Sequence, residues 1–282
     1  MSWQQPELMS SNQHNLPDDL YHHCPVQKPV EIYLFLDPFS EKCWALQFYL
    51  KKLMLEYGRF FTIRAIISSR FSLIQKQNNE NAPVSDRTAE CCQTLNPLIT
   101  SLAIKASELQ GKRAGKAFLR RLQEKLFIDD LDISQPEVLI ACAEEANLDV
   151  AEFEKDITSP SAKRAYQCDL RLTNEMAVDT LPTLVFFNQS VEEQGIKVSG
   201  LYSYEIYELV LSEILQYVPI PSAKPPLEEL VKNSSIIGTE EIAIIYDWSE
   251  TKALREMKKL QLRQLVKIVQ RNNGIYWKPK FL

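Results

Sequence analysis

Three kinds of segment are missing from this chain, and each absence excludes a class of function. No apolar stretch approaches the ~20 residues that a membrane-spanning helix needs. The first residues, Met1 to Asn15, are polar and lack the apolar core of a secretory signal. A positive excess is missing too. The chain has 282 residues, 32 Lys and Arg against 37 Asp and Glu, and a formal charge of −5, which argues against a general nucleic-acid binder. Histidine is scarce, and all three lie in the first 28 residues, so His22-His23-Cys24 is the one metal-like cluster. It is too short to supply four zinc ligands alone. A solvated tail is the first reading of residues 1–28, and a zinc site that borrows another thiol is the second. The six cysteines are scattered through a long chain, the pattern of free thiols in a reducing cytosol. Cys142 and Cys168 fall in helical patterns and read as small packing residues.

What is present divides into two parts. Val30 to Leu36 reads as a buried strand, Cys43 to Tyr57 as a helix with Gly58 as a natural C′ residue, and Phe60 to Ile67 as a second strand. Together they form a βαβ unit. Residues 68–96 are polar and turn-rich and include the exposed pair Cys91-Cys92. From about 97 to 178 there are only helical patterns, with Pro136 and Pro160 suited to helix starts. A strand returns at Leu181 to Phe187, followed by a polar turn at 189–194, a hairpin strand at 196–198 and a helix from Ser203 to Tyr217. Pro219, Pro221, Pro225 and Pro226 make a stiff linker over 219–226. Beyond it, residues 227–282 give a helix capped by Thr239, a helix capped by Ser249 and a hairpin around Asn272-Asn273-Gly274, the outline of a winged helix.

The chemistry is concentrated where the first strand meets its helix. There the sequence is Asp37-Pro38-Phe39-Ser40-Glu41-Lys42-Cys43-Trp44. A thiol oxidoreductase of the thioredoxin type places Cys-x-x-Cys at this junction, because the helix N-terminus stabilises a thiolate. It also places a cis-proline loop opposite, and Leu181-Pro182-Thr183 has the right residues for one. Here the attacking cysteine is replaced by Ser40, whose hydroxyl keeps its proton near neutral pH. Cys43 stands at the resolving position and reads as a packing thiol, with monothiol chemistry as the alternative. Without the nucleophile, a recognition surface survives, for which Phe39, Trp44, Leu181 and Pro182 are the candidates; core packing is the other place for Trp44. The distance from Cys43 to Pro182 leaves room for a helical insertion at about 97–178. The fold expected is therefore α/β: a thioredoxin fold of DsbA-like type with a helical insertion over residues 29–218, plus a small C-terminal winged-helix-like domain.

Five stretches carry a closer resemblance. They are Glu31 to Trp44, Glu56-Tyr-Gly-Arg-Phe-Phe-Thr-Ile-Arg, Lys105-Ala-Ser-Glu-Leu-Gln-Gly-Lys, Pro182-Thr-Leu-Val-Phe-Phe-Asn, and Glu193 to Tyr207. In this order the chain resembles the SpxH (YjbH) family of ClpXP adapter proteins. The resemblance implies a cytoplasmic, non-enzymatic adapter that binds the transcription regulator Spx and promotes its degradation by the ClpXP protease. It also implies an association of zinc with a His/Cys-rich N-terminus, for which this chain offers His22, His23 and Cys24. No other cofactor, no membrane and no nucleic acid are implied. A cytosolic DsbA-like thiol-disulfide oxidoreductase is the enzyme alternative, and a DNA-binding redox sensor built on the wing is a third.

Overall fold

A computed structural model describes residues 28–69, 96–188, 195–271 and 273–280. The N-terminal cluster, Cys91-Cys92 and the polar turn expected at 189–194 lie outside them. Strand β1 (Val30–Leu36), helix α1 (Glu41–Tyr57) and strand β2 (Phe61–Ile67) form the expected βαβ unit, with β1 and β2 parallel and Leu36 opposite Ile67. Gly58 differs from expectation. It stays right-handed at φ −59°, donating its N–H to the Met54 carbonyl, so the chain leaves α1 without a left-handed residue.

Five helices follow: α2 (Pro97–Leu109), α3 (Lys112–Phe127), α4 (Pro136–Glu145), α5 (Val150–Ile157) and α6 (Pro160–Glu175). Pro136 and Pro160 each occupy the first helical turn, where a missing N–H costs nothing. Strands β3 (Thr183–Asn188) and β4 (Ile196–Ser199) complete a sheet of order β2-β1-β3-β4, and α7 (Tyr204–Leu215) packs on it. A continuous core of Leu, Ile, Val and Phe side chains joins this sheet to α1, α7 and the insertion. The insertion is also tied to the sheet by a buried ion pair. Asp169 on α6 accepts the Ile67 N–H at 2.8 Å and meets Lys105 of α2 at 2.5 Å. Because Asp169 takes the inward position, its neighbour Cys168 points to solvent. Cys168 is therefore not the packing residue expected, whereas Cys142 is fully buried.

A second, separate core lies beyond residue 226. Its elements are α8 (Leu227–Lys232), β5 (Ile237–Gly238), α9 (Thr239–Tyr246), α10 (Glu250–Leu262), β6 (Val266–Arg271) and β7 (Gly274–Pro279), with sheet order β5-β7-β6. The two helices and the hairpin stand where the sequence reading puts them, preceded by a further helix and a short strand. Ser249 caps α10 by accepting the Lys252 N–H. Thr239 is no cap. Its hydroxyl donates to the Ile275 carbonyl and accepts the Trp277 indole N–H at 2.9 Å, fixing α9 to the hairpin.

Helix α1 is buried on two sides. Cys43, Leu46, Leu50 and Leu53 face the main core, while Trp44 and Phe48 meet Ile236 and Tyr276 of the C-terminal segment. Polar residues of α1 continue that second stripe. Lys52 pairs with Asp247 at 2.5 Å, and Lys51 with Glu241 at 2.8 Å. Glu241 is only 1% exposed and also receives Arg120 of α3 at 2.9 Å. Burial pushes the Glu241 carboxyl up, but Arg120 and then Lys51 more than reverse this and hold it below the usual carboxylate range. The proline-rich segment is tied down as well. The Ser222 N–H donates to the Glu56 carbonyl, Lys224 pairs with Glu56 at 3.1 Å, and the Tyr246 hydroxyl donates to the Pro225 carbonyl.

Removing the buried Glu241 carboxylate takes from Lys51 its acidic partner and from Arg120 one of two, leaving it Glu124. Glu241→Ala is expected to cost about 2 kcal/mol at neutral pH, the scale of hydrogen bonds to charged groups. Urea denaturation followed by tryptophan fluorescence measures it, with Lys155→Ala in an exposed pair as the neutral control. The folded carboxyl titrates below the unfolded one. Its contribution is thus full above the unfolded Glu value of about 4.3 and fades as pH falls through the folded value, so the two proteins should converge in strong acid.

Candidate functional site

The candidate site is built at the carboxyl end of β1. The turn from Asp37 to Ser40 closes on itself: the Ser40 N–H donates to the Asp37 carbonyl at 3.1 Å, and the Phe39 N–H to Asp37 Oδ1 at 3.0 Å. Ser40 is the N-cap of α1, extended at φ −90° and ψ 122°, and its Oγ accepts the Cys43 N–H at 3.4 Å. The atom at the attacking position therefore satisfies a helix-end donor. Cys43 lies one turn in, 1% exposed, and its Sγ accepts the Asp37 N–H at 3.5 Å. A thiol packed this way is out of reach of a bulky disulfide. Cys142 is buried in the insertion, where burial pushes its thiol up to about 12 and keeps it from forming the reactive thiolate.

Opposite the turn, the Leu181–Pro182 peptide bond is cis. Pro182 is buried and Leu181 half-buried. The Pro182 carbonyl accepts the Gly200 N–H at 2.7 Å, and Thr183 pairs with Ser199 at the start of β3 and end of β4. Gly200 sits at φ +105°, a conformation that favours glycine, and it turns the chain so that Leu201 and Tyr202 follow beside the proline. The Tyr202 N–H donates to the Tyr207 hydroxyl at 3.0 Å, which anchors the loop to α7. Both side chains stay exposed, Tyr202 at 48%. Periodicity could not find these two residues, because they belong to no helix or strand; the preceding glycine was the available signal.

Trp44 does not join this surface. It is 8% exposed, stacked on Phe127 at 5.6 Å between ring centroids, edge-on to Phe48 at 5.4 Å and covered by the Arg120 guanidinium at 4.5 Å. Of the two places open to it, platform and core, it takes the core, because the C-terminal segment closes over the first turns of α1. Phe39 remains half-buried beside the motif. The structure thus keeps Ser40, Cys43, Phe39, Leu181 and Pro182 at the strand and helix ends of one fold and removes Trp44 from its surface. No group of three metal-ligating side chains occurs among the described residues, and no helix among them is long and apolar enough to cross a membrane.

Comparison with known proteins agrees with this geometry. The model of the thioredoxin family matches residues 33–209. A structure assigned as a protein disulfide isomerase from Nitrosomonas europaea superposes with a TM-score of 0.52 at 14% identity, covering 66% of this chain and 98% of that one, a likeness of fold alone. The ClpXP adapter protein SpxH of Bacillus licheniformis is 43% identical over 281 residues, 94% of each chain. The protein of the same name from Bacillus subtilis is 40% identical over 288 residues, 96% of this chain and 95% of its own. A thioredoxin-type fold, together with relatives 40% and 43% identical over 94% or more of the chain, places the chain in the SpxH family of ClpXP adapter proteins.

Proposed function

We propose that this protein is a cytoplasmic ClpXP adapter that binds the regulator Spx through the remnant of a thioredoxin active site and performs no thiol chemistry itself. The observation that carries this reading is Ser40 acting as a helix cap where an oxidoreductase needs a thiolate, beside a cis-proline loop that leaves Leu201 and Tyr202 exposed. The protease comes from the name shared by the relatives; Spx comes from the family resemblance. An adapter raises the local concentration of substrate at a protease, so it needs a surface rather than a nucleophile. Leu201 and Tyr202, with the half-buried Phe39 and Leu181 beside them, form that surface, and the buried Pro182 holds the loop in place behind them. No cofactor is required for this role.

The two hydrophobic cores support a division into a thioredoxin domain at 29–218 and a C-terminal domain at 227–282, joined by 219–226. Since the joint is pinned to α1, a protease nick within 219–226 should leave both fragments co-eluting in gel filtration. Fragments that separate at neutral pH and low salt would contradict the Glu241 junction described above.

Two assays test the function. In a reconstituted ClpXP reaction the protein should accelerate loss of Spx. Phe39→Asp and Tyr202→Asp should each weaken Spx binding at least about tenfold, or ~1.4 kcal/mol, while Cys43→Ala changes it little. Spx loss that is no faster with the protein than without it would end the adapter reading. In an insulin-reduction assay the protein should show no turnover; Cys43-dependent turnover would favour the oxidoreductase instead.

A further inference from the structure

Five side chains from four parts of the chain close a circuit beside the exposed loop. The Tyr204 hydroxyl donates to Glu56 Oε2 of α1. Glu56 pairs with Lys224 of the proline-rich segment at 3.1 Å, and Lys224 pairs in turn with Asp247, the residue that ends α9. Asp247 meets Lys52 of α1 at 2.5 Å. The Lys52 ammonium lies 3.8 Å from the centre of the Tyr204 ring, which closes the circuit. Tyr204 opens α7 directly after Leu201, Tyr202 and Ser203, so the circuit begins beside the exposed Tyr202. Its far end, Asp247, belongs to the C-terminal domain. These are not ordinary surface pairs. Lys52, Glu56 and Tyr204 are buried. Burial pushes the Asp247 carboxyl up, but Lys224 and Lys52 more than reverse this and hold it below its usual range. Contributions within one such network are not additive, so a change at one member is felt at the others.

We propose that this circuit couples the Leu201–Tyr202 loop to the C-terminal domain, with the 219–226 segment as a strap that is either docked or released. Coupling requires an element with two arrangements whose balance both sites can shift. The strap fits that need. Its side chains at Ile220, Pro221 and Ala223 are exposed, so little apolar burial opposes release. Polar contacts hold it instead, among them the Ser222 N–H on the Glu56 carbonyl at 2.7 Å and the Arg59 guanidinium on the Ile220 carbonyl. Two routes run from Tyr204 to Asp247, one through Glu56 and Lys224 and one through Lys52. Release of the strap withdraws Lys224 and breaks the first. Tyr204 and Asp247 are thus positioning residues for the loop, acting from its two ends of the circuit. A partner that engages the loop tightens the strap, and a partner that moves the C-terminal domain loosens the loop. That the loop meets a partner rests on the proposed function; the coupling itself does not, and it is tested without one.

Two amides of the full chain report the two ends, each by its hydrogen-exchange rate in NMR. The Tyr202 N–H on the Tyr207 hydroxyl reports the loop, and the Ser222 N–H on the Glu56 carbonyl reports the strap. Coupling is reciprocal, so the effect must run both ways. Asp247→Asn removes the charge and keeps a residue suited to the left-handed φ of +55°. It should speed exchange at Tyr202 at least about fivefold, the lower end of such couplings. Tyr204→Phe, which deletes one hydroxyl, should speed exchange at Ser222 by the same factor. Lys224→Met should speed both, and Lys224→Arg, which restores the charge, should leave both within about twofold of the parent. Lys51→Met is the control. It breaks the Glu241 pair from the same helix but lies outside the circuit, and it should leave both amides within about twofold. Unchanged exchange at Tyr202 in Asp247→Asn, or at Ser222 in Tyr204→Phe, would overturn the proposal. So would equal acceleration in Lys51→Met, which would reduce the effect to a general loss of stability. Circular dichroism checks that each variant folds. If Asp247→Asn or Tyr204→Phe does not, Lys224→Met replaces it, and unchanged exchange at Tyr202 there would overturn the proposal.

Discussion

The Glu241 carboxylate is the contact on which the rest of the arrangement turns. It is almost completely buried, and it is held by a cation from α1 and another from α3. A lone carboxylate in that position would be strongly disfavoured, so the three elements must come together to satisfy it. Once they do, Arg120 lies over Trp44, Trp44 stacks on Phe127, and the hairpin of the C-terminal segment covers both. The motif helix is thereby enclosed on the side away from the sheet.

That enclosure shapes what the thioredoxin scaffold can offer a partner. In an active oxidoreductase the helix start is a site of chemistry, and its electrostatics favour a thiolate. Here the same helix start is capped by a hydroxyl that has no reason to ionise, and Cys43 is packed beneath it. One flank of the motif is closed by the protein's own C-terminal segment. The open flank is the cis-proline side, where Gly200 turns Leu201 and Tyr202 into view. Loss of the thiol and retention of the platform are consistent with a protein that recognises a partner without modifying it.

The same junction engages two acidic residues of the C-terminal segment, Glu241 with Lys51 and Arg120, and Asp247 with Lys52 and Lys224. The two separate cores meet along α1, through the apolar cluster around Trp44 and Phe48 and through ion pairs in which Lys51, Lys52 and Glu56 all take part.

Strands, helices and the motif junction were legible in the sequence, because they depend on local properties. Apolar runs marked β1 and β2, prolines marked the starts of α4 and α6, and Asp-Pro before Ser40 marked the turn into α1. The helical insertion followed from spacing. Tertiary structure alone decided which side of each helix meets which neighbour. Trp44 has the composition of a platform residue and became core because a distant segment covers it. Cys168 fits an apolar pattern and is exposed because Asp169 is drawn inward by Lys105 and the Ile67 amide. Thr239 looks like a cap and instead fastens α9 to Trp277. Each of these depends on a partner more than 30 residues away, and a local pattern holds no information about such a partner.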